Sequence, residues 1–290
     1  MFLLLVQAIS LLLVPPLQSY HLDNAFGNPE SVWNSLYYVV LLLLFTGAML
    51  IIVRYKVNWL IQAIMAVAVL STLVYVLFGL AVLLVPSVDP LIAGGVSVVL
   101  SLLLTALLIV YPEWYIIDTV GVLVAAGASA LFGISLAILP TIVLLVILAV
   151  YDYISVYKTK HMLKLAEGFM DLKMPIMFVM PRRWGYSFME NNKGLPAEGA
   201  EREAYFMGLG DAVMPTMLAV SANAFLSAPP LLGFVNVPAL GCILGTLVSY
   251  VVLMYIVVEL KKPQAGLPFL CTGAIAGFLL GCLAAGVRPF

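Results

Sequence analysis

The chain has 290 residues, 64% of them hydrophobic and only 9% charged, with a mean hydropathy of +1.16. No water-soluble core of this length needs so much apolar surface, so the composition excludes an ordinary soluble domain and indicates a chain that crosses the bilayer repeatedly. The net charge of -1 lacks the basic excess of a nucleic-acid binder, so the lipid bilayer is an expected partner and nucleic acid is not.

In chain order, apolar runs fall near 2–17, 33–53, 58–85, 91–111, 115–133, 138–157, 204–226, 231–258 and 266–286. Against roughly 20 residues for one crossing, they predict an all-α, polytopic membrane protein with nine transmembrane helices. The expected organisation is one integral membrane domain over 1–290: six helices in 1–158, a cytoplasmic loop over 159–203 and three helices in 204–290. The first run ends at Pro15-Pro16. It lacks a basic leader, and Gln18-Ser19-Tyr20 is a poor cleavage site, so a retained first helix is expected. Between the fifth and sixth runs, Pro140 is the only clear punctuation.

Charge orients these spans. The loops after even-numbered spans hold Arg54 and Lys56, then Lys158, Lys160, Lys164, Lys173, Arg182, Arg183, Lys193 and Arg202, then Lys261 and Lys262. Arg288 is the single remaining basic residue of the 13. Loops after odd-numbered spans carry acids instead, among them Asp23, Glu30 and Asp89. The positive-inside rule therefore predicts a cell-membrane protein with a cytoplasmic N-terminus and an extracytoplasmic C-terminus.

The segment 159–203 is the one sizeable polar stretch. Its first part has the composition of a short interfacial helix or of a solvated connector. An apolar piece, 174–180, is expected to rest on the membrane or near a site entrance. The Gly-, Asn- and Glu-rich remainder cannot bury enough apolar surface to order itself, so the loop is expected to be more mobile than the helices.

Within the spans, carboxylates dominate the chemistry. Both histidines, His21 and His161, lie in loops, and no His-Glu-x-x-His pattern exists. That excludes a zinc protease of that pattern and argues against a serine nucleophile activated by histidine. Cys242, Cys271 and Cys282 are spaced like small packing residues. Asp152 and Asp211 remain, each alone in an apolar run, with Asp118 a third acid just inside the fifth. A carboxylate near the bilayer centre costs about 2.5–3.5 kcal/mol, so retention asks for a use.

Asp152 precedes Lys158 by six residues, ~9 Å at helical rise, and Asp211 follows Arg202 by nine, ~13 Å. Antiparallel neighbouring helices would bring both acids to similar depth. Two touching carboxylates cannot both stay ionised cheaply, so such a pair holds one proton and can act as base and acid together. That is the apparatus of aspartic proteolysis. The same two acids also suit an ion or proton pathway, the alternative function, which Asp118 would assist.

Neighbouring residues sharpen the choice. Gly208 and Gly210 strip side chains from the approach to Asp211, although glycines in membrane helices also serve packing. Tyr151 either donates a hydrogen bond to the pair or simply packs. Pro238-Ala239-Leu240 opens or interrupts the eighth span, and Pro238 removes a helical donor. It is either an ordinary kink or an extended segment offering backbone to a substrate.

Val150-Tyr151-Asp152 in one span, Gly208-Leu209-Gly210-Asp211 opening the next and Pro238-Ala239-Leu240 in the following one resemble the presenilin and signal peptide peptidase family. The compact size resembles its archaeal members. The tyrosine-aspartate site looks presenilin-like, while Ala212-Val213-Met214-Pro215 after Asp211 looks closer to signal peptide peptidase. The inferred orientation is the presenilin-like one. The resemblance implies an intramembrane aspartyl endopeptidase that cleaves transmembrane helices, with Asp152 and Asp211 catalytic. Tyr151, Gly208, Leu209, Gly210, Pro238, Ala239 and Leu240 would support the site, and no cofactor or metal is implied. Presenilins need partner subunits whereas signal peptide peptidases resemble self-sufficient enzymes, so accessory subunits and a homo-oligomer both stay open.

Overall fold

A computed structural model describes residues 1–20, 26–55, 57–159, 177–182, 187–188, 204–228, 230–231, 233–260 and 264–289. Among them are nine α-helices: α1 Phe2–Ser19, α2 Val32–Arg54, α3 Asn58–Leu84, α4 Pro90–Val110, α5 Trp114–Ser135, α6 Ile138–Ile154, α7 Leu209–Phe225, α8 Val237–Leu260 and α9 Gly266–Ala285. Eight are long and apolar enough to cross a membrane. The ninth, α7, has 17 residues, about 25 Å at helical rise against a hydrocarbon core of about 30 Å. Leu44, Val99, Leu103 and Val251 are exposed, which is costly in water and favourable in lipid.

Several details differ from the sequence reading, among them the eighth run, whose helix starts at Val237 rather than at 231. The first helix runs through Pro15-Pro16 to Ser19, because two prolines remove only two helical donors and the Ser19 hydroxyl returns a bond to the Pro16 carbonyl at 2.8 Å. The seventh run does not begin as a helix: Ala204–Gly208 is a strand, β2, antiparallel to β1, Met177–Pro181. Thus the apolar piece of the polar loop is half of a ladder, and the fold is all-α apart from these two strands. Most of the remaining 160–203 lies outside the described residues, as do the expected interfacial helix and the expected mobility.

The chain divides into two compact units. One comprises 1–42, 125–158 and 210–290 and contains both Asp152 and Asp211. In lipid, helices gain little from apolar contact, so close backbone packing and hydroxyl-to-carbonyl bonds join them. Ser10 donates to the Ala126 carbonyl at 3.0 Å, Ser35 to Pro140 at 2.6 Å and Ser221 to Leu136 at 2.7 Å. Antiparallel α8 and α9 meet through glycines. A β-carbon on Gly241 would stand 2.3 Å from the Gly277 carbonyl oxygen, and one on Gly245 2.1 Å from that of Gly273.

The other unit comprises 43–124 and 159–209. Its core joins Val69 and Leu73 of α3, Leu108 of α4 and Ile116, Ile117 and Val120 of α5 to Val179 of β1 and Ala204 of β2. Helix α4 starts cleanly because the Asp89 carboxylate accepts the Leu91 N–H at 2.8 Å, with Pro90 at the first helical position.

Candidate active site

Asp152 lies in the last full turn of α6 and is 6% exposed. Beyond Ile154 the helix widens into a π-turn, Ser155–Thr159, a distortion frequent at functional sites. The Ser155 hydroxyl returns a bond to the Asp152 carbonyl at 3.0 Å. Asp211 is the third residue of α7 and half-buried. There a carboxylate complements the positive end of the helix dipole. Gly208-Leu209-Gly210 is the junction where β2 ends and α7 begins. Among the described residues, a β-carbon on Gly210 would meet no atom within 4 Å.

Both acids meet the start of α9. The Leu267 N–H donates to Asp152 Oδ2 at 3.3 Å. On the preceding residue, a β-carbon at Gly266 would stand 2.7 Å from Asp211 Oδ2 and 2.9 Å from its Cγ. The cause is local. A helix start leaves backbone donors without helical partners, and within a membrane these must be satisfied by protein groups. Ala265, before the first turn, supplies no side-chain cap. Asp152 takes one orphan donor, and Pro268 has no N–H to offer. The Tyr157 hydroxyl, bonded to Gln264 Oε1, ties the end of α6 to the residues before α9. All three cysteines are free and buried. Among the described residues, no group of three or more His, Cys, Asp and Glu side chains is placed to hold a metal ion.

Pro238-Ala239-Leu240 is elsewhere. Val237 and Pro238 open α8, where the Asn236 side chain accepts the Ala239 N–H at 2.9 Å. Pro238 packs on Gly281: a β-carbon on that glycine would stand 2.8 Å from the proline Cα. Gly281 is fifteen residues along α9 from Gly266, ~22 Å at helical rise. The segment is therefore a capped helix start at the far end of α9, neither an interior kink nor a neighbour of the acids. Its expected supporting role is corrected on that ground. Tyr151 is half-buried and has an interaction partner.

The family described as signal-peptide peptidase, presenilin aspartyl protease matches residues 1–287. The chain belongs to this family. Two solved structures, each of a presenilin family intramembrane aspartate protease, are 38% identical to it. One covers 98% of this chain and 97% of the other with a TM-score of 0.71; the second, in another crystal form, covers 98% and 96% with a TM-score of 0.68. No curated protein sequence matches the chain. The protein is thus a multi-span intramembrane aspartyl protease, and nothing favours the ion-pathway alternative.

Sequence reasoning missed Gly266 and Leu267, although a signal was present. Ala265-Gly266-Leu267-Pro268 follows Lys261-Lys262, the basic pair that assigns this helix start to the same membrane face as Lys158 and Arg202.

Proposed function

We propose that Asp152 and Asp211 are the catalytic pair of this protease, and that it cleaves peptide bonds within transmembrane helices by direct attack of water. The observation that supports the assignment is their shared contact with adjacent residues at the start of α9: Leu267 with Asp152, Gly266 with Asp211.

The pair holds one proton in the productive state. Its ionised member takes a proton from water as the oxygen attacks the scissile carbonyl, and its neutral member gives its proton to the carbonyl oxygen. The tetrahedral diol then returns a proton to the newly ionised member, while the newly protonated member gives its proton to the leaving nitrogen. The C–N bond breaks, and one shared proton is left for the next cycle. Leu267 holds one oxygen of Asp152, which limits the orientations the carboxylate can take. Open space among the described residues at Gly210 suits the approach of an extended substrate, with Gly208 and Leu209 shaping that junction and Tyr151 beside Asp152. The substrate helix unwinds locally, because an intact helix shields its carbonyls in hydrogen bonds.

The basic-residue bias supports a cytoplasmic N-terminus, an extracytoplasmic C-terminus and water access from the cytoplasmic face. The test is cleavage of a helical membrane substrate by the purified chain in lipid vesicles. Turnover should stop with a transition-state-mimicking aspartyl inhibitor. Continued turnover at saturating inhibitor would overturn the mechanism.

A further inference from the structure

Asp118 is the acid that the proposed chemistry does not use. It lies on the second turn of α5 and is 3% exposed. Its Oδ1 accepts the Val179 N–H at 2.8 Å, and its Oδ2 has no hydrogen-bond partner among the described residues. A buried carboxyl with an orphan oxygen in an apolar core is expensive. A hydroxyl or an amide would satisfy one strand N–H more cheaply, so what the acid holds matters.

Val179 is the central residue of β1 and faces Phe206 of β2. Since its N–H goes to Asp118, this donor points away from β2, along the outer edge of β1. One turn further along α5, a β-carbon on Gly121 would stand 3.2 Å from Leu209 Cδ2 and 3.3 Å from Phe178 Cε1. One stretch of α5 therefore grips β1 through a polar bond and touches the residue that directly follows β2. At the head of the helix, Glu113 adds a second grip, accepting the Ser187 hydroxyl at 2.7 Å and the Phe188 N–H at 3.1 Å. Leu209 is two residues before Asp211.

We propose that Asp118 is a positioning residue for proteolysis: its carboxyl oxygen latches β1, and through the β1–β2 ladder it fixes the chain that runs into Asp211. The inference rests on the catalytic assignment of Asp211. Only an acceptor oxygen of the right reach is required, so Asp118→Asn keeps the latch and Asp118→Leu, branched at the same carbon but without an acceptor, removes it.

The experiment compares both variants, purified in lipid nanodiscs, by steady-state cleavage and by amide hydrogen exchange over 177–181. Asp118→Leu should lower kcat ~10- to 100-fold, the scale of a sub-ångström to 1 Å misplacement, and speed exchange in β1. Asp118→Asn should stay within about 3-fold of wild type with β1 protected, the acceptor being retained. A cycle with Val179→Pro, which deletes the donor at an edge position that tolerates proline, should be non-additive with Asp118→Leu. Equal losses in Asn and Leu would overturn the latch, as would full turnover in Asp118→Leu or strict additivity. If Asp211→Asn remains active, the catalytic assignment itself has failed; if Asp211→Asn is dead while Asp118→Leu turns over normally, only the latch has.

Discussion

Gly266 lies directly against the Asp211 carboxylate, with room for a hydrogen and none for a methyl group: a β-carbon would stand 2.7 Å from Oδ2. Real β-carbons essentially never approach closer than 3.0 Å, so Gly266→Ala must displace the acid or the start of α9. Turnover of purified Gly266→Ala in lipid should fall by about 100-fold. Gly210→Ala, whose added methyl meets no atom of the described residues, should cost far less unless substrate occupies that space. Near wild-type cleavage by folded Gly266→Ala would remove this contact from the active arrangement.

Neither acid should substitute for the other. Asp152→Asn and Asp211→Asn keep size and shape but cannot share a proton as a carboxylate pair does. Each should abolish cleavage while thermal unfolding of the detergent-solubilised protein changes little. Retained turnover in either variant would refute the dyad.

The pH profile of cleavage should be bell-shaped. At low pH both carboxyls carry protons and no base remains; at high pH both are ionised and no acid remains. Rates measured across pH on a single substrate, with protein integrity checked at each end, decide this. Activity rising monotonically into the alkaline range would indicate a different catalytic group.

Pro238→Ala should leave turnover per folded molecule unchanged. The residue lies in the first turn of α8 and packs on Gly281, so any cost belongs to stability. Gly277→Val should be far more damaging to the fold, because its β-carbon would collide with the Gly241 carbonyl oxygen at 2.1 Å; overpacking of this kind costs about 1–3 kcal/mol or more. Thermal unfolding and cleavage measured on the same samples separate the two effects. A selective loss of kcat in Pro238→Ala would return that segment to the site.

Hydrophobic run length made the helices legible, since a membrane crossing imposes both length and composition. The helical runs agree with the structure to within a few residues, apart from the starts of the seventh and eighth. Asp152 and Asp211 were legible because charge is rare inside such runs. The strand at Ala204–Gly208 was not: five apolar residues joined to a helical run carry no period of their own, and pairing with Met177–Pro181 is a long-range choice. The supporting segment was misplaced for a different reason. Pro238-Ala239-Leu240 resembles the family motif only as a string of three residues, whereas the basic-residue bias puts the start of the eighth span on the opposite face from both acids. The residues that do touch them, Gly266 and Leu267, act through an absent side chain and a backbone N–H, which leave little trace in composition.

The glycine contacts between α8 and α9 have a consequence for the start of α9. With Gly241 over Gly277 and Gly245 over Gly273, no side chain separates the two backbones. Glycine faces glycine again only after a slide of four residues, about 6 Å at helical rise. Such a slip would carry Gly266 and Leu267 away from both acids. The seam thus keeps the start of α9 in register with α8, and with it the Leu267 N–H that the Asp152 carboxylate accepts.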